Sequence, residues 1–591
     1  MIDSVQTYPC AERLTLEEQV HGTTVADPYR RLEDPSAAEA WLRDQDELWL
    51  TYAASLSTRF RWKNCVRALS AVSSMSTPVR RGGRCFTLRR EAGRHAVLFA
   101  DETPLIDVRQ LDPSGLTTLD AWQPSPDGSK VAFQLSRGGT EQSTLSVLDV
   151  GSGQLIDGPI DGCRYSPVAW LPDNRTFYYV RFRQVRRHSL GNLDDTTVLA
   201  DEATYGLELS ADGRWLTICT ASDLWFQDLT ADPAPKHIPT TGTTIMSVGP
   251  DGRLYVVTAG RICVGDPAAP TVWHDYLEPE QPLTGLAILD DVVLVSTATE
   301  ITVHDRLTGE GRGTVGLPGY GSVGSLSADG NRAWYTYTDS VTPPIVRCYD
   351  PTEHPVSAPV ERHNVELNVI GKPGPTILYG YGGFGQELTP TYSAFALAWV
   401  EAGGCFVTAN IPAGTRHDKQ RVFDDFIAAA EQLIADGWTT ADQLAICGES
   451  NGGLLTAAAL TQRPELFAAA VCSAPLTDMI RYELSGLGDR WTSEYGSVQD
   501  AGDFRNLLAY SPYHRVVDGV KYPAVLLTAF GNDTRVDPLH ARKMTAALQH
   551  ATAGPRPILL RFEQNAGHTT GGISLAADIL AFLADQTGLD A

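Results

Sequence analysis

Apolar and polar positions fall into three textures along this chain. The first 72 residues are helical in part: after Asp34-Pro35, the stretch Ser36 to Leu50 sets Trp41, Leu42, Leu48 and Leu50 among acids and Arg43. That spacing predicts a helix, with Asp34 or Ser36 as its cap. From about 73 to 355 the helical pattern gives way to short alternating runs divided by turn pairs. Asp127-Gly128, Asp173-Asn174, Asp212-Gly213, Asp251-Gly252, Asp290-Asp291 and Asp329-Gly330 each precede a strand-like run, at steps of 46, 39, 39, 39 and 39 residues. Gly82-Gly83, 45 residues before Asp127, precedes Cys85-Phe86-Thr87-Leu88 and makes a seventh mark. An all-strand repeat of about 40–50 residues is the signature of a β-propeller blade. A blade cannot bury both faces alone, so blades stack radially around a shared core. Asp-Gly suits hairpin turns that need positive φ. The competing arrangement is a pair of β-sandwiches, against which the equal steps argue. The expectation is a seven-bladed propeller over 73–355.

From 356 to 591 strands and helices alternate. Strands are expected at Thr376–Tyr379, Cys405–Ala409, Leu444–Cys447, Ala468–Cys472, Ala524–Ala529 and Ile558–Phe562. Helices are expected at Phe423–Ala435, Leu454–Leu460, Leu539–Gln549 and Ile573–Ala584. This alternation predicts a parallel sheet covered by helices. The fold class is therefore α/β plus all-β: an α/β domain (1–72 and 356–591) with an inserted propeller.

Within the α/β part, Gly448-Glu449-Ser450-Asn451-Gly452 fits the nucleophile elbow G-x-S-x-G, with an apolar strand leading in and an alanine-rich helix leading out, so the expectation is an α/β-hydrolase catalytic domain with an inserted seven-bladed β-propeller. The turn lifts the serine hydroxyl above the sheet edge, and the helix N-terminus behind it favours developing negative charge. A serine needs a base to take its proton, and this fold orders the triad as Ser, acid, His, each in a loop after a strand. Of the later histidines, His540 and His550 fall on a helix expected at the surface, and His514 falls in a structural turn. His568, in Asn565-Ala566-Gly567-His568-Thr569 just past a buried strand, is the expected base. Asp533 in Gly531-Asn532-Asp533-Thr534 is the expected acid. Its rival Asp537 precedes Pro538 and a helix, as a cap does. The oxyanion hole takes one donor from the backbone N–H of Asn451. A second is sought in the glycine-rich loop Tyr379 to Phe384, where Tyr381 offers its hydroxyl and packing is an equal use for either phenol.

These residues match a known pattern. Over nearly its whole length the chain resembles prolyl oligopeptidases: His21-Gly22-Thr23, Val25 to Tyr29 and Leu32 to Pro35 look like that family's opening signature, and Tyr379 to Phe384 looks like its YGYGGF loop. Gly448 to Leu455, Gln462-Arg463-Pro464, Trp491 to Gly496 and Asn532 to Pro538 match as well, while the middle third matches by repeat architecture. The resemblance implies that Tyr381 is the second oxyanion donor. It implies that Trp491 stacks on a proline ring in a pocket with Phe384, Leu476, Tyr495 and Val536, and that Arg535 holds the carbonyl one residue earlier. Without it, Trp491 reads as core packing. The family's propeller caps the site and admits short flexible peptides. Three departures stand out. Ala409-Asn410-Ile411 runs into Pro412-Ala413-Gly414-Thr415-Arg416 with a shortened segment before Phe423; Glu449 replaces the usual glycine; and linkers and blades are trimmed.

Composition narrows the classes. With 43% apolar and 20% charged residues in 591, the chain is neither disordered nor fibrous. A formal charge of −24 repels nucleic acid and anionic membranes; it serves solubility, or more sharply a mild preference for cationic peptides. No secretory pattern opens the sequence and no run nears the ~18 apolar residues of a membrane span. Ten cysteines without a CxxC pair suggest free thiols in the cytoplasm, with no metal and no cofactor expected. The expectation is a monomeric serine peptidase cutting short peptides on the carboxyl side of proline. The alternatives are a leader-removing maturation protease for a modified peptide, a peptidase of this fold cutting after basic residues, an esterase and an inactive scaffold.

Overall fold

The computed structural model describes residues 8–590 apart from 193, 201–202, 240–243, 353–366, 413 and 569–571. The junction expected at 355/356, Ala413 of the departing loop, and Thr569 lie outside the described residues. The chain forms two compact units. One takes the described residues up to Ala71, Gly138–Thr140 and those beyond 366, and the other takes Val72–Arg137 and those from Glu141 to 352.

The second unit is a seven-bladed β-propeller. Its seven antiparallel sheets follow one another in chain order, from the one around Arg84–Arg90 to the one built of Ser322–Asp329, Arg332–Thr338 and Ile345–Tyr349. The repeated Asp pairs sit in the turns joining adjacent strands, and their role goes beyond backbone freedom. Gly128, Gly213 and Gly252 have φ of 67°, 71° and 76° as expected. In addition, Asp127, Asp173, Asp212 and Asp251 each accept the backbone N–H two residues on, at 2.9, 2.9, 3.0 and 3.2 Å. Each apolar cluster is shared by two neighbouring blades: Phe86 and Leu98 with Val131 and Phe133, and Trp215 and Phe226 with Met246 and Leu254. The last blade meets the first, where Ser327 Oγ donates to the Pro78 carbonyl at 2.6 Å.

The other unit centres on a seven-stranded sheet. Its strands are β1 (Leu367–Gly371), β2 (Thr376–Gly380), β3 (Cys405–Ala409), β4 (Leu444–Glu449), β5 (Ala469–Ser473), β6 (Ala524–Phe530) and β7 (Ile558–Glu563), in the order β1-β3-β2-β4-β5-β6-β7. All neighbours are parallel except β1 with β3, so the sheet is mixed, with an antiparallel edge strand that the sequence reading did not anticipate. Its helices are α1 (Pro35–Ser55), α2 (Arg59–Ser70), α3 (Ala394–Glu401), α4 (Lys419–Ala435), α5 (Asn451–Gln462), α6 (Ala501–Tyr510), α7 (Leu539–Ala551) and α8 (Ile573–Thr587). Both faces are covered. Leu444 and Ile446 of β4 join the core under α4, α5 and α7, while Ala445 and Cys447 join the core under α2, α3 and α8. That is why these strands read as continuous apolar runs. Each fully buried Leu, Ile or Phe in them is worth about 1.5–3 kcal/mol.

The first 70 residues complete this unit. Asp34 caps α1, accepting from Ser36 N at 2.8 Å. The buried face of α1 is Ala38, Trp41, Gln45, Trp49 and Ala53, a regular three-and-four spacing, whereas Leu50 is exposed. Ala38 and Trp41 belong to one core and Trp49 and Ala53 to the other, so α1 passes from face to face along the edge strand β7.

Ahead of α1, Asp27 and Glu33 reach α7. Lys543 Nζ lies 2.9 Å from Asp27, 2.8 Å from Glu33 and 2.5 Å from Asp478. The carboxylate oxygens of these three lie within 4.8 Å of one another, and Lys543, with Arg30 on Asp27 and Arg481 on Glu33, supplies their positive charge. Burial alone would raise the Asp478 carboxyl, but Lys543 and His514 outweigh it and hold it at about 2. Helix α7, expected at the surface, is thus buried along nearly its whole length beneath the N-terminal segment. Only His550, near its end, is exposed. Among the described residues no helix is long and apolar enough to cross a membrane.

Candidate active site

Sheet order reverses between β2 and β4, and loops at the carboxyl ends of such strands form the crevice where open α/β sheets bind ligands. Ser450 follows β4 with φ 59° and ψ −118°, a conformation that costs a residue with a side chain about 1–3 kcal/mol. The surroundings enforce it. Ser450 N donates to the Ser473 carbonyl at 2.8 Å. A Cβ on Gly448 would lie 2.1 Å from the Gly452 carbonyl oxygen, and one on Gly452 would lie 2.5 Å from that of Gly380. The motif's glycines are there for close backbone approach, since neither has positive φ.

Asp533 follows β6 and His568 follows β7. His568 Nδ1 lies 2.7 Å from Asp533 Oδ2, and both side chains are buried. The other oxygen of Asp533 accepts the backbone N–H groups of Arg535 and Val536 at 2.9 Å each. The carboxylate is thereby fixed, and the Nδ1–H of His568 points at it, leaving Nε2 as the basic nitrogen. Asp537 instead accepts Leu539 N at 2.8 Å, as a cap does. His514 bonds Ser511 at 2.8 Å, and buried His540 accepts from Asp478 N at 3.2 Å; both serve packing.

Tyr381 lies just beyond β2, close enough to Ser450 for the serine to act on its phenol. Burial and the nearby Glu494 carboxylate push this phenol up, so it keeps its proton as a donor. The loop carrying it is gripped twice. Asn451 Nδ2 donates to the Tyr381 carbonyl at 2.5 Å. Lys419 Nζ, fully buried at the start of α4, donates to the Gly382 carbonyl at 3.0 Å and pairs with Glu494 at 2.6 Å. Burial alone pulls the Lys419 ammonium down, and Glu494 works against that. Lys419 and Glu494 were not singled out from the sequence. Glu494 sits in plain view inside the Trp491–Gly496 motif, but a single lysine beyond the shortened loop has no pattern to mark it.

The aromatic residues gather beside this loop. The Phe384 ring meets Trp491 edge-on at 6.0 Å between centroids and Tyr495 at 5.7 Å. Leu476, Tyr495 and Val536 are buried in one core, Trp491 packs partly exposed against it, and Phe384 is 39% exposed. Tyr495 also donates its hydroxyl to Asn451 Oδ1 at 2.8 Å, linking this slot to the residue after Ser450. The Arg535 charge acts on both Tyr381 and Glu449. Among the described residues Ser450 Oγ shares no hydrogen bond with His568.

Known proteins match the chain in both units. The model described as "Prolyl oligopeptidase, N-terminal beta-propeller domain" matches residues 8–359, and that of the "Prolyl oligopeptidase family" matches residues 401–590. A prolyl endopeptidase of Elizabethkingia meningoseptica is 27% identical over 99% of this chain and 96% of its own. One of Dictyostelium discoideum is 37% identical over 33% of this chain and 28% of its own. A solved prolyl endopeptidase superposes with a TM-score of 0.90 at 32% identity, covering 99% of this chain and all of the other. Prolyl oligopeptidase B of Galerina marginata, solved with a macrocyclization substrate, shares the fold at a TM-score of 0.89 and 22% identity, covering 99% of each chain. With an elbow serine, a fixed Asp–His pair and matches across both units, the chain belongs to the prolyl oligopeptidase family of serine peptidases.

Proposed function

We propose that this enzyme hydrolyses short peptides on the carboxyl side of proline through an acyl-enzyme. Ser450 Oγ attacks the scissile carbonyl while His568 takes its proton, and Asp533 holds the imidazole and stabilises its cation. The oxyanion is met by the Asn451 N–H and the Tyr381 hydroxyl. The grip of Asn451 and Lys419 on the Tyr381 loop supports this, because it holds the phenol beside Ser450, near where a serine-bound oxygen would form. His568 then gives the proton to the leaving nitrogen, and a water, activated by the same base, releases the acyl group.

The observation that carries the specificity is the double use of Tyr495. Its ring joins Phe384 and Trp491 in an aromatic slot, and its hydroxyl bonds the residue next to the nucleophile. A flat apolar proline ring suits such a slot. Arg535, with its fixed fork of donors, is proposed to hold the carbonyl one residue earlier. Cleavage of two capped fluorogenic dipeptides, Gly-Pro and Gly-Arg, with S450A as control, tests the reading. Release after Pro alone, lost in S450A, is expected. Release after Arg would overturn the specificity, and release by S450A would overturn the nucleophile.

A further inference from the structure

Glu449 is the last residue of β4, paired in register with Ser473 and adjacent to Ser450. Its side chain is half-buried, and among the described residues its carboxylate accepts no hydrogen bond. The titratable and charged groups acting on it or feeling it come from four elements: Tyr379 on β2 and Tyr381 just beyond, Cys447 on β4, Asp533 and Arg535 after β6, and His568 after β7. Of the charges, His568 acts most strongly, then Asp533, then Arg535. Yet the imidazole already has Asp533 as its partner at 2.7 Å. Glu449 is therefore a carboxylate beside the reacting centre with no hydrogen-bonded counter-ion. Burial raises its carboxyl above the ordinary value and Asp533 adds to this, while His568 and Arg535 oppose it.

A carboxylate so placed is stabilised by positive charge that arrives with the substrate. The side from which it arrives follows from the chemistry. His568 hands its proton to the leaving nitrogen, so the groups around it face the residue after the scissile bond. Strand alternation places Glu449 on the face of β4 that carries Ala445 and Cys447, the face covered by α8, which follows the His568 loop. Glu449 thus belongs to the leaving-group half. We propose that Glu449 is a specificity-determining residue that favours peptides with Lys or Arg directly after the scissile bond and disfavours Asp or Glu there. The inference rests on Ser450-dependent cleavage after proline.

The test uses three internally quenched peptides, identical except for Lys, Gln or Glu after the same proline, with the full-length enzyme. Wild type is expected to cut the Lys peptide at least about tenfold better in kcat/KM than the Glu peptide, a difference of 1.4 kcal/mol, with Gln between. E449Q should bring the three within about twofold. The Lys-to-Gln ratio in wild type should fall on acidification, because a raised carboxyl loses its charge at a less acidic pH than an ordinary one. Should E449Q not fold, E449G and the wild-type pH series give the same reading. Equal wild-type rates, or a ratio unchanged in the Glu449 variants, would overturn the proposal; the latter would assign the preference to the overall negative charge. Failure to cut after proline in all three peptides would remove the parent reading too, whereas cutting all three equally removes only this one.

Discussion

Around Lys543, three carboxylates each lie within 2.9 Å of the ammonium, and Arg30 on Asp27 and Arg481 on Glu33 complete the balance of charge. Around Ser450, Asp533 is bonded to His568, while Glu449, one residue before the proposed nucleophile, has no hydrogen-bond partner among the described residues. Both clusters are made of acids and bases buried in the same α/β body, yet one is closed and the other left open. The closed cluster joins pieces of chain distant in sequence, since Asp27 lies before the propeller and Lys543 after it. The open one has room for charge that the reaction or the substrate brings. Charge balance within the fold marks a clasp, and imbalance beside a nucleophile marks a site.

Four substitutions press on this contrast. D533N should do the greatest damage to turnover, about 10⁴-fold, because the amide leaves His568 in the wrong tautomer; the urea midpoint should move little. Retained turnover would end the role of Asp533. K543M should act the other way. Fully buried Asp478 would lose its cation, while Asp27 keeps Arg30 and Glu33 keeps Arg481; about 3–5 kcal/mol of stability should go, read by urea unfolding, while turnover per folded molecule stays near wild type. In the wild-type clasp, Asp478 is depressed to about 2, so its contribution is present above the unfolded carboxyl value of about 3.9. It should be lost as pH falls from there through 2. W491A should lower selectivity for proline over alanine by about tenfold, with turnover of poor substrates little changed. Undiminished selectivity would move the slot elsewhere. D537A should cost the least, about 1 kcal/mol of stability through the lost cap, with turnover kept; its pairing with D533N separates two acids four residues apart.

The contrast also explains what was legible in the sequence. The blades could be counted because Asp127, Asp173, Asp212 and Asp251 repeat one local hydrogen bond, and a local device leaves a local mark. Strands β2 to β7 stood out because helices cover both sheet faces. Ser450, Asp533 and His568 lie at strand ends, where chain order led to them. What depends on distant partners stayed hidden. Helix α7 carries His540, Arg542 and Lys543 and reads as a surface helix until Asp27 and Glu33 fold over it. Lys419 has meaning only beside Glu494 and the Gly382 carbonyl. The buried face of α1 does not follow its apolar residues, because Gln45, a polar residue, occupies the core side, paired with Gln549 at 2.8 Å, while Leu50 is exposed.

That Gln45–Gln549 pair, like Asp27 with Lys543, has a consequence for biosynthesis. During translation at about 5–20 residues per second, α1 leaves the ribosome on the order of 25–100 s before α7 and β7 exist to receive it. Through that interval Trp41 and Trp49 have no core to enter, while the blades between can already stack in turn. The opening segment is therefore the first part made and among the last to settle, and its aromatic face is the place where a chaperone would hold the nascent chain.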